Sequence, residues 1–200
     1  MNKNYLADLQ KKGVNIVHTI WEKKFSEDKL LTYFDKLHTD KIIIKPNVSA
    51  SAFNTFLINR QSAEKFISRL SSVFDNKEFM VQPFLENIID EGEFSLFYFD
   101  GKFSHAILKK PKQHDFRVQE EYGGILTSII PDKQQLSISE DILSKVNPLP
   151  LYARIDLVRT DANNFALMEL ELIEPSLYFN MDKDSPKRFA EIFNSRMSEL

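Results

Sequence analysis

The 200-residue chain contains no cysteine. That absence excludes a disulfide scaffold, cysteine-ligated zinc, an iron-sulfur cluster and a thiol nucleophile, so any metal must sit on histidine or oxygen ligands. Glycine is scarce, at 5 residues, and there is no Walker A loop, dinucleotide fingerprint or Gly-x-Ser-x-Gly elbow. Charge of one sign is missing too: 26 Lys and Arg stand against 29 Asp and Glu, a net charge of -3. With 42% hydrophobic residues, that balance excludes a disordered chain. Basic residues form no cluster beyond short pairs such as Lys109-Lys110, so nothing offers the phosphate-backbone footprint of a nucleic-acid binder. No apolar run approaches the roughly 20 residues that span a bilayer, and the first residues lack the apolar stretch of a signal peptide. The expectation is a cytoplasmic protein with neither a nucleic-acid nor a membrane partner.

What the chain does have is a well-stocked core, with 17 Phe and 6 Tyr. Its length fits one large domain or two of about 100 residues each. Leu6 and Leu9 at helical spacing, closed by Lys11-Lys12-Gly13, predict a short first helix. Residues 14–17 read as a strand. Ser26 is a candidate cap for a helix bearing Leu30, Leu31, Phe34 and Leu37, and residues 42–46 form a β-branched strand stopped by Pro46. Ser62 is a second candidate cap, ahead of Phe66, Ile67, Leu70, Val73 and Phe74 on one helical face.

From Phe79 the period changes from 3.6 to 2, through residues 79–85, 94–99 and 102–109, and Asp100-Gly101 is a hairpin turn signal. A helix over 139–146, strands over 151–159 and 165–173, and a terminal helix opened by Ser185-Pro186 complete the pattern. That last helix is expected to bury Phe189, Ile192, Phe193 and Met197. The order implies an α+β arrangement, with a small α/β lobe over 1–78 and a larger antiparallel lobe over 79–200.

The most informative stretch is the pair of strands around Ala162-Asn163. If they form a hairpin centred there, positions whose numbers sum to 325 face each other. Asp156 then lies opposite Glu169 and Arg154 opposite Glu171, all on one face, while Ile155, Leu157, Leu170 and Leu172 line the other. One reading is a solvated polar face. Against it, carboxylates placed opposite one another destabilise pairing, and Arg154 alone cannot neutralise three of them. A hard divalent cation resolves that conflict, because Mg2+ takes oxygen ligands and is usually held by carboxylates together with substrate phosphates.

Other candidates are weaker. Lys45 ends a strand and is followed by the small residues 47–55, which can let main-chain N–H groups approach a phosphate or can be an ordinary surface loop. Lys109, Lys110 and Arg117 form a second basic set, and Glu93 follows Gly92. His18, His38, His105 and His114 show no ligand spacing and read as surface or packing residues.

Taken in order, these segments resemble the ATP-grasp superfamily, in its glutathione-synthetase-like branch that includes the cyclo-ligase of cycloserine biosynthesis. The matching residues are Asn2-Lys3-Asn4-Tyr5-Leu6, Ile42 to Pro46 with Ser49-Ala50-Ser51-Ala52, Met80-Val81-Gln82-Pro83-Phe84-Leu85 and Gly92-Glu93-Phe94-Ser95. They continue through Lys109-Lys110-Pro111, Asp115-Phe116-Arg117 and Gly123-Gly124 to Arg154-Ile155-Asp156 and Met168-Glu169-Leu170-Glu171. Glu171 stands where glutathione synthetases often have Asn.

The resemblance implies an ATP-grasp fold with the nucleotide between two lobes, ATP with Mg2+ (or Mn2+) as cofactors, and ligation of a small carboxylate to an amine or thiol acceptor through an acyl phosphate. By the same resemblance, Lys3 and Lys45 hold phosphates, the backbone of Gln82 to Leu85 reads adenine with Phe84 and Leu85 beside it, and Glu93 holds the ribose. Asp156, Glu169 and Glu171 hold the metal, and Lys109 and Arg117 face the transferred phosphoryl group. Complete members carry a further N-terminal domain, and this chain begins almost at the first nucleotide lysine. The expectation is therefore a ligase or the ATP-grasp portion of one, with a nucleotide-binding module lacking turnover as the alternative and a homodimer compatible with either.

Overall fold

The structure, a computed structural model, describes residues 2–49, 52–113, 115–160 and 163–198. The chain forms two compact units, residues 1–8 with 16–86 and residues 9–15 with 87–200. The expected tip of the acidic hairpin at Ala162, the small residues Ala50 and Ser51, and His114 lie outside the described residues.

Leu6 and Leu9 are buried on α1 (Tyr5–Lys11), whose residues are divided between the units after Asp8, and Gly13 follows with a positive φ of 89° that favours glycine. The expected strand over 14–17 does not form. The extended segment comes later, at β1 (Ile20–Glu22), because it is Ile20 that pairs with Val81. Ser26 does not cap α2 (Leu30–Leu37): it precedes a 3₁₀ turn, Glu27–Lys29, and its hydroxyl donates to the Asp28 side chain.

The isoleucines of β2 (Lys41–Pro46) favour extended backbone, and β2 pairs antiparallel with β3 (Phe56–Asn59). Ser62 is also not a cap. It lies inside the 3₁₀ segment Arg60–Phe66 that runs into α3 (Ile67–Phe74), and its hydroxyl donates to the Asn59 carbonyl at 3.3 Å.

β4 (Phe79–Pro83) closes the sheet in the order β1-β4-β2-β3. The division expected after residue 78 therefore falls ahead of this strand, whereas the units divide after residue 86. The first sheet is antiparallel throughout, so the change of period at Phe79 marks no change of sheet type. Ile42, Ile44, Ile58, Phe79 and Val81 share one of its faces and form a single core with Tyr33 and Phe34 of α2 and Leu70 and Phe74 of α3. Lys45, Met80 and Gln82 alternate onto the opposite face.

The second unit contains α4 (Asn87–Asp90), β5 (Glu93–Phe99), β6 (Lys102–Lys110) and β7 (Ile125–Ile129). They are followed by α5 (Lys133–Ser144), β8 (Tyr152–Arg159), β9 (Phe165–Glu171) and α6 (Ser185–Ser198). The five strands form an antiparallel sheet in the order β7-β6-β5-β8-β9. α5 begins six residues before the expected Ser139, which is buried mid-helix. A capping box sets that start. Asp132 accepts from Gln135 N at 2.8 Å, and Gln135 Oε1 accepts from Asp132 N at 2.8 Å. On α6, Phe189 packs against Phe99 with ring centroids 5.3 Å apart, but Phe193 and Met197 are exposed, so only part of the expected face is covered.

Candidate functional site

The expected hairpin register is present at its functional end: Asp156 pairs with Glu169, Ile155 with Leu170 and Arg154 with Glu171. Between Asp156 and Leu157 the register shifts, leaving Met168 as the extra residue of a bulge. Asp156, Glu169 and Glu171 each present an oxygen within 4.8 Å of the others. A solvated face does not describe this cluster, since Asp156 is 1% exposed and Arg154 8%.

The neighbouring strands explain how a carboxylate survives there. Ser95 pairs with Asp156 across β5 and β8, and Glu93 pairs with Lys109 across β5 and β6, so all four point to the same sheet face. Lys109 Nζ donates to Glu93 Oε1 at 3.1 Å and to Asp156 Oδ1 at 3.2 Å. Arg154 donates to Asp156 through Nε and Nη2 at 2.9 to 3.1 Å and through Nη2 to Glu171 at 2.6 Å. The Ser95 hydroxyl also donates to Asp156 Oδ1. Burial works to raise the pKa of Asp156, but Arg154 and then Lys109 outweigh it and hold the group at about 2.

Other carboxylates in the cluster fare differently. Burial pushes Glu171 up against the opposing pull of Arg154, and Glu169 and Asp156 push it further. Glu93 is likewise raised by burial, which Lys109 only partly offsets. Burial tends to lower Lys109, yet Asp156 and Glu93 leave it raised and cationic.

Formally, four carboxylates stand against Lys109 and Arg154, leaving an excess of two negative charges that one divalent cation matches. An all-oxygen donor set with that excess fits Mg2+. Lys109 and Glu93 thus belong to the charge balance of the carboxylate cluster, a membership that the pairing of β8 with β9 alone does not reveal.

Two further contributors were missed. Tyr178 places its ring 6.0 Å from Lys109 Nζ. His105 holds the segment that carries it: the imidazole stacks on Phe97 at 4.3 Å, and Nε2 lies 3.0 Å from the Leu177 carbonyl and so must donate to it. Burial lowers the His105 pKa, consistent with a neutral ring whose Nδ1 accepts from Ser104. No sequence spacing announced either residue, because both act through the β5–β6 pairing and the loop beyond β9. Arg117 sits between β6 and β7, bidentate to Asp115 at 3.0 and 2.8 Å and 3.6 Å from the centroid of Tyr122.

In the first unit, Lys3 is buried and its Nζ lies 3.4 Å from the Ser49 carbonyl, while its N–H donates to the Asn47 carbonyl at 2.8 Å. Lys45 and Gln82 are brought to the same face of the sheet. Gln82 is itself engaged, donating to Thr19 at 2.9 Å. Phe84 and Leu85 are nearly buried, and the Phe84 N–H donates to the Lys41 carbonyl at 2.9 Å, so any reading of adenine by this segment falls to its remaining backbone groups.

A carboxylate cluster able to hold a metal ion on an antiparallel sheet, with buried Lys3 and Lys109, fits an ATP-grasp enzyme. The chain belongs to that class: the family model described as prokaryotic glutathione synthetase, ATP-grasp domain, matches residues 18–182. Membership places it among the ATP-dependent ligases of the ATP-grasp class. It is 28% identical to the cycloserine biosynthesis protein DcsG of Streptomyces lavendulae over 98% of this chain and 70% of that protein. The crystal structure of D-cycloserine synthetase DcsG superposes with a TM-score of 0.81 at 26% identity, over 98% of this chain and 69% of that one. A D-alanine–D-alanine ligase from Bacillus anthracis shares the fold with a TM-score of 0.70 at 17% identity, over the whole of this chain and 69% of that one. So does the ATP-grasp ligase PsnB in complex with Mg and ADP, with a TM-score of 0.70 at 16% identity over 96% of this chain and 58% of that one.

Proposed function

We propose that this chain carries the ATP-handling chemistry of a carboxylate–amine (or thiol) ligase that works through an acyl phosphate. The observation that carries the reading is the Asp156–Glu169–Glu171 cluster, built on a buried Asp156 with two half-buried glutamates and two negative charges in excess. Asp156, Glu169 and Glu171 would hold Mg2+, with Mn2+ as a substitute. Bound there, the metal would supply neutralisation of phosphate charge.

The protein's own residues do the remaining work. Lys3 and Lys45 hold phosphate oxygens, and the backbone of the 82–85 segment orients adenine between apolar side chains such as Phe84 and Leu85. Glu93 accepts from a ribose hydroxyl on the oxygen Lys109 leaves free. A substrate carboxylate oxygen attacks the γ-phosphorus, the bond to ADP breaks, and Lys109 and Arg117 stabilise the charge that develops on the transferred group. The acceptor amine then attacks the acyl carbon, phosphate leaves and the nitrogen loses a proton.

Calorimetric titration with ATP and Mg2+ tests the site. Tight binding by the parent protein that disappears in the Asp156→Asn, Glu169→Gln double variant is the expected result, and undiminished binding by the variant sinks the metal assignment. ADP release with a panel of amino acids and short peptides tests turnover. Binding without release under every acceptor would leave a nucleotide-binding module and no ligase.

A further inference from the structure

The acid cluster is already occupied by side chains. Asp156 Oδ1 accepts from three donors, Ser95 Oγ, Lys109 Nζ and Arg154 Nε, and Oδ2 takes Arg154 Nε and Nη2. Arg154 Nε has a single N–H, shared between Oδ1 at 3.1 Å and Oδ2 at 3.0 Å, so Ser95 and Lys109 are the donors that fill the two lone pairs of Oδ1 and leave none for a cation. One of them must leave before Asp156 can ligate.

The donors differ in how easily they go. Arg154 is anchored at both ends of its fork, since Nη2 also reaches Glu171 at 2.6 Å, and a guanidinium bound to one carboxylate through two nitrogens is rigid. Ser95 lies on β5, directly paired with Asp156. Lys109 is a point charge on a four-carbon stem, with Glu93 at 3.1 Å and the Tyr178 ring at 6.0 Å as other resting places.

We propose that Lys109 is a tethered counter-ion that occupies Oδ1 of Asp156 until nucleotide phosphate draws it away, so that the cluster takes up its divalent cation together with the nucleotide and not before. The inference rests on the metal assignment made above and adds an order of events to it. Lys109 at Asp156 keeps the excess at two negative charges and blocks a ligand atom. Its departure to a phosphate raises the excess to three and frees Oδ1 in the same motion. A phosphate thus prepares the cation site that neutralises it, and free Mg2+ finds the site closed.

The test is Mn2+ binding to the nucleotide-free protein, read by the electron paramagnetic resonance of bound and free ion, with no turnover involved. The parent protein is expected to bind Mn2+ weakly. Lys109→Met should bind it at least about tenfold more tightly, since a unit charge some 3 Å from the ligand oxygen is removed. Lys109→Arg, which keeps the charge, should stay weak. Equal affinity in the parent and Lys109→Met overturns the tether. Protein-bound Mn2+ in none of the proteins, even with a non-hydrolysable ATP analogue present, overturns the metal assignment with it.

If Lys109→Met does not fold, the parent protein still decides. The ammonium nitrogen resonance of Lys109, assigned by its loss in Lys109→Arg, should hold its position in Mg2+ alone and move when the ATP analogue is added. Movement with Mg2+ alone overturns the proposal.

Discussion

Two buried lysines, one in each unit, carry the same ammonium in different settings. Lys3 Nζ lies 3.4 Å from a main-chain carbonyl, that of Ser49, whereas Lys109 Nζ lies 3.1 and 3.2 Å from the carboxylates of Glu93 and Asp156. A carbonyl offers a partial charge and a carboxylate a whole one, so Lys109 is bound into the electrostatics of its sheet. Lys45 resembles Lys3 in one respect: its strand is held by backbone pairing to β4, which does not involve the side chain. The difference teaches where a substitution will be felt. In the second unit, the charge of Lys109 is tied by two carboxylates into the packing of the sheet.

The largest effect that would test this contrast is on stability. Asp156→Ala strips Arg154 and Lys109 of their common acceptor and leaves both buried. Breaking a buried network in this way costs about 3–5 kcal/mol, and urea unfolding of the metal-free protein at neutral pH should show it. A loss below about 1 kcal/mol would mean that water reaches the cluster and the comparison fails.

Lys45→Met should do the reverse. The backbone pairing of its strand to β4 stays, so the larger effect is expected on nucleotide binding. The dissociation constant for ATP, measured by calorimetry, should rise roughly tenfold to a hundredfold, the value of one charge-assisted phosphate contact. Unchanged ATP affinity would remove Lys45 from the site.

The sequence was most legible where side-chain alternation and one local hairpin were enough. The facing of Asp156 with Glu169, and of Arg154 with Glu171, followed from that alone. Two offsets cancelled in reaching it. Near the turn the strands pair one position earlier, Arg159 with Phe165, and the bulge at Met168 restores the expected register at the acids.

The β5–β6 hairpin lacked such compensation. Extrapolating from the Asp100-Gly101 turn puts Leu108 opposite Glu93. A register shift between Phe97 and Tyr98 brings Lys109 there instead, and a slip of one residue moves every side chain to the other face. The pairing of Ser95 with Asp156 joins residues far apart in sequence, and no local pattern encodes it. In the first unit, β4 was placed with the wrong lobe for the same reason, since an amphipathic strand does not specify which sheet receives it.

A smaller effect separates the carboxylates within the cluster. Burial, helped by Glu169 and Asp156, holds the folded-state pKa of Glu171 above its unfolded value. A carboxylate raised in this way binds its proton more readily when folded. Its contribution to stability therefore falls as pH rises through the folded pKa and is regained on acidification. Asp156, held at about 2, stays ionised throughout that range. Thermal unfolding in a chelator between pH 4.5 and 7 should show Glu171→Gln gaining on the parent toward neutrality. A constant difference between the two would show that Glu171 does not sense its neighbours.

A small stability change is expected outside the cluster, at Asp115. Its pKa is held at about 2, chiefly by the Arg117 side chain, with burial opposing and the N–H groups of Arg117 and Phe116 assisting. The bidentate pair also turns the guanidinium onto Tyr122. Arg117 is partly solvated, with its side chain 33% exposed, so Asp115→Asn should cost no more than about 1 kcal/mol. If Arg117 acts on the transferred phosphoryl group, the same variant should lower ADP release roughly tenfold, because misdirecting a charge near the reacting atoms costs more than losing a surface pair. ATP affinity should stay unchanged, since the contact would tighten only as the phosphoryl group moves. Equal loss in binding and turnover would place Arg117 on the ground-state nucleotide, and loss in neither would show that the Asp115–Arg117 pair serves the loop alone.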